Sequence, residues 1–278
     1  VDYSERTWGD ETLLTEKYNK LQSILRDMES VVVAFSGGVD STFLLKAAVD
    51  TLGEEHVLAV TADSETYPSS ELEEARELAK KIGVKHQVIE TSELAIPGYA
   101  ENNKNRCYFC KSSLFDHLIP VMEEKGFHNV IYGVIADDMN EHRPGMQAAK
   151  EKGIRGPLLE ANLFKQEIRE LSQQFDLPTW DKPSFACLSS RIAYGEYITK
   201  EKLTKVERAE SFLKGLRIRQ VRVRTHDEIA RIEVEPTDMK IVLENHDSIV
   251  RELQEYGYKY ITLDLLGYQS GSMNKVLS

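Results

Sequence analysis

The sequence is poor in cysteine and has no long apolar run. Three cysteines occur in 278 residues, Cys107, Cys110 and Cys187. So small and odd a number excludes a disulfide framework and points to metal binding or redox chemistry. No apolar stretch approaches the roughly 20 residues needed to cross a bilayer, so no membrane span is expected. The N-terminus has no basic region followed by an apolar core, so no secretory signal is read there and a cytoplasmic location is expected. The chain does not start with Met, which leaves room for tag or processing residues at that end. Positive charge is also short: 35 Lys and Arg stand against 46 Asp and Glu, a formal net charge of −11. That deficit argues against a partner held through a phosphate backbone, and no nucleic-acid partner is expected. Two common phosphate-loop signatures, Gly-Lys-[Ser/Thr] and Gly-x-Gly-x-x-Gly, are absent.

What remains suits a globular protein of one large or two ordinary domains, with 41% hydrophobic and 29% charged residues. Residues 11–29 carry apolar side chains at helical spacing. Strands are expected at 31–35, 56–61, 85–90 and 129–133, and helices at 42–52, 71–82 and 114–125. This alternation predicts a parallel sheet with helices on both faces. Beyond Pro178–Pro183 the pattern changes to a helix at 199–216, strands at 220–225 and 229–235, a helix at 238–256 and a strand at 258–265. The fold class is therefore α/β followed by a smaller α+β domain, with expected limits of 1–180 and 181–278. The one stretch without periodicity is 92–106, which ends beside two cysteines. Long irregular loops in compact domains are often functional.

The first strand runs into Ser36-Gly37-Gly38-Val39-Asp40-Ser41 and then into a helix. Glycines let the backbone approach an anion, backbone N–H groups and the helix dipole favour negative charge, and Ser36 and Ser41 carry hydroxyl donors. Asp40 would repel a bare phosphate, so it suits a magnesium ligand or a helix cap. The plainer alternative is a turn that needs glycine for backbone reasons, with Asp or Ser as N-cap. Asp137-Asp138 also reads as a solvated turn on its own.

Cys107 and Cys110 form a lone Cys-x-x-Cys, and Cys187 follows 77 positions later. A structural zinc wants four ligands. Three thiolates suit a [4Fe–4S] cluster with one iron left open. A zinc site completed by another residue, or a Cys187 buried as a small hydrophobe, stands beside that choice.

The stretch Ser36–Ser41 resembles the PP-loop of the adenylating ATP pyrophosphatases, among them GMP synthetase, NAD synthetase and several tRNA thiolases. The resemblance implies that the loop holds the pyrophosphate of ATP, that Asp40 lies on the Mg2+ side, and that Ala62 and Ser64 lie near adenine. It also implies that Gly133 and Asp137 meet the nucleotide again. Such placement at strand carboxyl ends fits an open α/β sheet. Further on, Arg143-Pro144-Gly145, Asp181-Lys182-Pro183, Cys187 with Ser189-Ser190-Arg191, Tyr194-Gly195, the run Val221–Glu233 and Tyr260–Leu265 resemble the LarE family. That resemblance extends from about residue 15 to the C-terminus. It implies an ATP-dependent sulfur transferase of nickel-pincer cofactor biosynthesis. Such enzymes adenylate a carboxylate of pyridinium-3,5-biscarboxylic acid mononucleotide and replace its oxygen by sulfur.

One form of that family sacrifices a single cysteine, and another holds a [4Fe–4S] cluster on three. The three cysteines here resemble the cluster form. The resemblance further implies Lys165 and Arg191 as phosphate contacts, and Ser190, Arg222, Arg224, Glu210 and Glu233 near substrate phosphate. It also implies a homo-oligomer, trimer or hexamer. Read without the family, Arg222, Arg224 and Glu233 make a cross-strand salt bridge on a solvated face, and Glu210 is a surface helix residue. Two other functions stay open at this stage. One is a tRNA thiolase like the 2-thiocytidine synthetases, which also pair a PP-loop with three cluster cysteines. The other is a non-catalytic nucleotide-binding protein with a structural zinc.

Overall fold

The computed structural model describes residues 8–140 and 144–273; Arg143 of the Arg-Pro-Gly motif lies outside them. The chain forms two compact units. The first comprises Val1–Asp63, Ser69–Thr91 and Lys111–Lys182; the second comprises Ser64–Pro68, Ser92–Cys110 and Pro183–Ser278.

The first unit is built on a four-stranded parallel sheet in the order β3-β2-β1-β4. Its strands are β1 (Val31–Ala34), β2 (Val57–Asp63), β3 (Lys85–Glu90) and β4 (Asn129–Tyr132). β1 is central and pairs with β2 and β4 in register, Val31 opposite Val57 and Asn129. Its three valines are fully buried, which β-branched side chains on a pleated sheet favour. They alternate across the sheet as a two-residue period requires. Val31 and Val33 join the core under α1 (Trp8–Arg26), α2 (Val39–Leu52) and α3 (Ser69–Ile82). Val32 joins the opposite core, with Phe115 and Leu118 of α4 (Arg106–Lys125) and Ala149 of α5 (Pro144–Glu151). Each such fully buried side chain contributes about 1.5–3 kcal/mol. Helices thus cover both faces, as the alternating pattern predicts.

Four helices of this unit depart from expectation. α4 begins at Arg106 instead of near 114, so both Cys107 and Cys110 are helical. Between 144 and 174 the chain forms α5, α6 (Pro157–Glu160) and α7 (Lys165–Gln174), none of which the periodicity marked. In α7 only Ile168 and Leu171 are buried apolar residues, too few to make a stripe.

The second unit holds a three-stranded sheet in the order β5-β6-β7, from β5 (Val221–His226), β6 (Ile229–Val234) and β7 (Tyr260–Leu263). β5 and β6 are antiparallel, and β6 and β7 are parallel. One sheet face carries Val221, Val223, Ala230, Ile232 and Val234. They pack on α8 (Lys200–Gly215), α9 (Met239–Glu244) and α10 (His246–Glu255). The single helix expected at 238–256 is broken at Asn245, whose amide donates to Ile241 O at 2.8 Å. A second cluster joins Tyr99 to Leu188, Ile192, Ile198, Leu203 and Val206. It ties the irregular stretch after residue 92 to the segment that carries Cys187.

Candidate active site

In the first unit β1 ends in the glycine-rich loop. Gly37 has φ +65°, a left-handed conformation that glycine adopts without strain, and a Cβ there would meet Ala75 Cβ of α3 at 3.2 Å. Gly38 is the extended N-cap of α2 at φ −78°. Ser36 and Ser41 lie with their hydroxyls 3.1 Å apart, and Ser41 Oγ donates to Gly38 O at 3.2 Å. Gly133 approaches from the end of β4, where a Cβ would stand 3.0 Å from Ser41 N and 3.2 Å from the Asp40 carbonyl carbon. Glycine is therefore required at 133 by backbone contact with the start of α2.

Asp40, in the first turn of α2, accepts both of its contacts from Lys165 Nζ, at 2.7 and 2.6 Å. Burial pushes the Asp40 carboxyl above its ordinary value; the Lys165 cation opposes this and Asp138 adds to it. The Lys165 backbone N–H donates to Asp137 Oδ2 at 2.8 Å, so Asp137 caps the start of α7. The sequence candidates Asp40, Gly133, Asp137 and Lys165 are thus brought together around the loop. Ala62 lies half-buried at the end of β2. Ser64 belongs to the second unit, where its hydroxyl lies 3.3 Å from Thr66 Oγ1.

Sequence reasoning gave Lys182 no role. Its ammonium lies 3.1 Å from Gly37 O, 2.7 Å from Glu71 Oε2 and 2.9 Å from Glu74 Oε2. The segment before it is held by Arg169 of α7, which donates to Trp180 O at 2.6 Å and Lys182 O at 2.8 Å. Only the Asp-Lys-Pro motif hinted at that lysine, and sequence separation of 145 residues hid its partner.

All three cysteines belong to the second unit. Cys107 is exposed, while Cys110 and Cys187 are half-buried. Cys107 and Cys110 are three residues apart in the first turns of α4, a spacing that puts them on one helix face. Cys110 Sγ lies 4.0 Å from Glu93 Oε1. Arg106, also missed from sequence, is 5% exposed and stands beside the thiols of Cys107 and Cys187. Its Nη1 donates to Asn102 Oδ1 at 2.5 Å and to Ser189 O at 3.0 Å, and its guanidinium lies 5.5 Å from the Tyr194 ring centroid. Burial would lower its pKa, but Cys187 and Cys107, then Tyr99 and Tyr194, raise it. Burial pushes the Cys187 thiol above 9.0; Arg106 and Arg191 pull it back, and Cys107 adds to the rise. Tyr99, whose hydroxyl donates to Ser189 Oγ at 2.8 Å, is raised first by burial and then by Cys187 and Cys110.

Among the described residues, no three His, Cys, Asp or Glu side chains converge on a single metal ion. Three cysteines in one unit, two of them, Cys107 and Cys187, beside the buried Arg106 guanidinium, are a donor set that fits a [4Fe–4S] cluster.

The charged side of the β5–β6 sheet is not solvated, contrary to expectation. Arg222 and Arg224 are each 5% exposed and Glu233 is fully buried. Arg224 pairs with Glu233 Oε2 at 2.8 Å and donates to Ser190 O at 3.1 Å. Arg222 donates to Val221 O at 2.8 Å and to Ser184 O, and lies 5.4 Å from the Tyr268 ring centroid. Burial, then the neighbouring Arg191 cation, pushes Arg222 down to about 10. Glu210 is likewise no surface residue. It is 4% exposed, accepts from Arg191 Nε at 2.8 Å and Nη2 at 2.9 Å, and accepts from Val223 N at 3.0 Å. Burial would raise its carboxyl, but Arg191 holds it below the ordinary 4.5. Arg191 spends its remaining donors on Ala186 O at 2.5 Å, Cys187 O at 3.0 Å and Ser190 Oγ at 3.0 Å. The Arg191–Glu210 pair therefore shapes the turn that presents Cys187.

The family model described as NAD synthase matches residues 11–106, the stretch that includes the loop. An uncharacterised protein of Synechocystis is 46% identical, over 96% of this chain and all of the relative. The pyridinium-3,5-bisthiocarboxylic acid mononucleotide synthase of Lactiplantibacillus plantarum is 38% identical, over 96% of each chain. A glutamine-dependent NAD(+) synthetase of Aquifex aeolicus is 36% identical, over 33% of this chain and 17% of the relative. These likenesses, with the loop and its strand–helix setting, make the chain an ATP-using PP-loop enzyme, and it belongs to the LarE family within the PP-loop ATP pyrophosphatase superfamily.

Proposed function

We propose that the enzyme adenylates a carboxylate of pyridinium-3,5-biscarboxylic acid mononucleotide and converts it to the thiocarboxylate, with sulfide delivered at Cys107, Cys110 and Cys187. The supporting observation is that all three cysteines fall in one unit, with Cys107 and Cys187 beside the buried Arg106 and both Cys110 and Cys187 beside Tyr99. The relative named for the bisthiocarboxylate product supports the same substrate.

A carboxylate resists substitution because oxide leaves poorly; AMP leaves well. Adenylation requires that the pyrophosphate of ATP be held while charge builds on it. The backbone N–H groups at Gly37–Ser41 and the start of α2 supply fixed donors for that charge. Asp40 would hold Mg2+, which neutralises charge on the leaving pyrophosphate. Lys165 supplies a second cation beside Asp40. Arg222, bound to two carbonyls and an aromatic face, leaves a buried positive charge suited to the substrate phosphate. Arg224, Glu233, Ser190 and the Arg191–Glu210 pair hold that region in shape.

Cys107, Cys110 and Cys187 would hold a [4Fe–4S] cluster, which when bound supplies an iron with a coordination position free for an extra sulfide. Arg106 stabilises the thiolate charge, and Tyr99 with Ser189 fixes the turn after Cys187. A self-associated, cytoplasmic enzyme without a nucleic-acid partner remains part of this proposal. Anaerobic purification tests the cysteine assignment. About four irons per chain, lost on Cys→Ser replacement, is the expected result. A colourless protein with stoichiometric zinc would remove it.

A further inference from the structure

The Asp-Lys-Pro motif has no part in the chemistry above, yet its lysine reaches the phosphate loop. Lys182 Nζ makes three contacts at 3.1 Å or less, to Gly37 O, Glu71 and Glu74, and its side chain is 11% exposed. Two of the partners come from α3, the helix whose Ala75 packs against Gly37. The loop is therefore held on one side, at Gly37, by Lys182 and α3 together.

The consequence follows from peptide geometry. The carbonyl of Gly37 and the N–H of Gly38 belong to one planar trans peptide, in which C=O and N–H point in opposite directions. A cation that fixes Gly37 O on one side turns the Gly38 N–H to the other side. Gly37, at φ +65° and without a Cβ, sits where a peptide plane turns over with little hindrance. Without a restraint its carbonyl oxygen is free to face the phosphate and repel it. Lys182 also offsets the charge of Glu71 and Glu74, two carboxylates near the loop.

We propose that Lys182 is a positioning residue for ATP: by holding Gly37 O and neutralising Glu71 and Glu74, it aims the Gly38 N–H at the pyrophosphate. The proposal rests on the loop being the pyrophosphate seat. It assigns Lys182 no contact with the nucleotide.

The test compares ATP with AMP, because only ATP carries the β- and γ-phosphates. Affinities of wild type, Lys182→Met and Lys182→Arg for Mg-ATP and for AMP are measured by calorimetry, with thermal unfolding in parallel. Lys182→Met is expected to weaken Mg-ATP roughly tenfold to thirtyfold, the scale of one charge-assisted hydrogen bond. AMP affinity is expected to stay within about twofold, and Lys182→Arg, which keeps the cation and its donors, to recover most of the loss. Unchanged ATP affinity in Lys182→Met overturns the proposal. Equal losses of ATP and AMP overturn it too, since they mark a general structural defect. So does an ATP-bound structure in which Nζ has left Gly37 O for a phosphate oxygen. If the wild-type protein binds neither nucleotide, the adenylating function itself fails, and that result is distinct from a failure confined to the variant.

Discussion

Replacing Glu210 by alanine should destabilise the unit that carries the cysteines. Glu210 and Arg191 are 4% and 2% exposed and meet through two contacts of 2.8 and 2.9 Å. Removal of the carboxylate strands a buried guanidinium, a change that costs about 3–5 kcal/mol. It also leaves the Val223 N–H without its 3.0 Å acceptor. That loss overlaps with the first, because water entering the gap serves both groups. The expected total is therefore about 3–5 kcal/mol, read by urea unfolding followed by circular dichroism. Replacing both partners by apolar residues, Arg191→Met with Glu210→Leu, should recover only part of it, since the desolvation cost vanishes along with the attraction while the bonds to Ala186 O, Cys187 O and Val223 N–H stay lost.

The pH dependence has a definite sign. The folded carboxyl of Glu210 lies below its ordinary 4.5. Its stabilising contribution is then complete above 4.5 and is lost as pH falls through the lower folded value. The gap between wild type and Glu210→Ala should be constant above pH 4.5 and narrow below it. A loss under about 1 kcal/mol, the range of exposed pairs, would refute the buried-pair reasoning.

Gly37→Ala should weaken ATP binding, because a left-handed backbone costs a residue with a Cβ about 1–2 kcal/mol and that Cβ would press on Ala75 at 3.2 Å; calorimetry against AMP shows whether the loss is confined to ATP. Cys187→Ser should lower bound iron in anaerobically purified protein while leaving ATP affinity unchanged, checked by metal analysis and calorimetry on one preparation. Arg106→Leu should raise the Cys187 thiol further, because Arg106 is the main group holding it down against burial. Alkylation of Cys187 in a Cys107→Ser, Cys110→Ser background, followed from neutral pH through 9.0, should then need higher pH than with Arg106 present.

The phosphate loop was legible because its chemistry is local. Strand, glycine turn and helix follow one another within Val31–Leu52, and each has its own signal in residue type. The parallel sheet was legible for the same reason, from alternating apolar runs. The polar layer of the second unit was not. Arg222 and Arg224 alternate with Val221 and Val223, the pattern of a strand with one wet face. They are buried because Ser184 and Ser190, over 30 residues away, supply carbonyls that cover them. Glu210 reads as a surface helix position until Arg191 is known to stand opposite. Arg106 looked like the end of a loop because α4 was expected to start later; Tyr108, Phe109 and Cys110 gave no clear helical stripe. The placing of Ser64–Pro68 and Ser92–Cys110 with the second unit is likewise a matter of contacts between distant segments, which leave no periodic trace.

Sulfur transfer by this chain is tested most directly by mass spectrometry of both the small molecule and the protein after an anaerobic reaction. The mixture contains ATP, magnesium, sulfide and pyridinium-3,5-biscarboxylic acid mononucleotide. The substrate should gain the mass difference between sulfur and oxygen at each exchange, with AMP and pyrophosphate formed alongside, and Cys107, Cys110 and Cys187 should remain intact. Conversion of Cys187 to dehydroalanine in step with product would contradict delivery of external sulfide and show that the protein gives up its own sulfur.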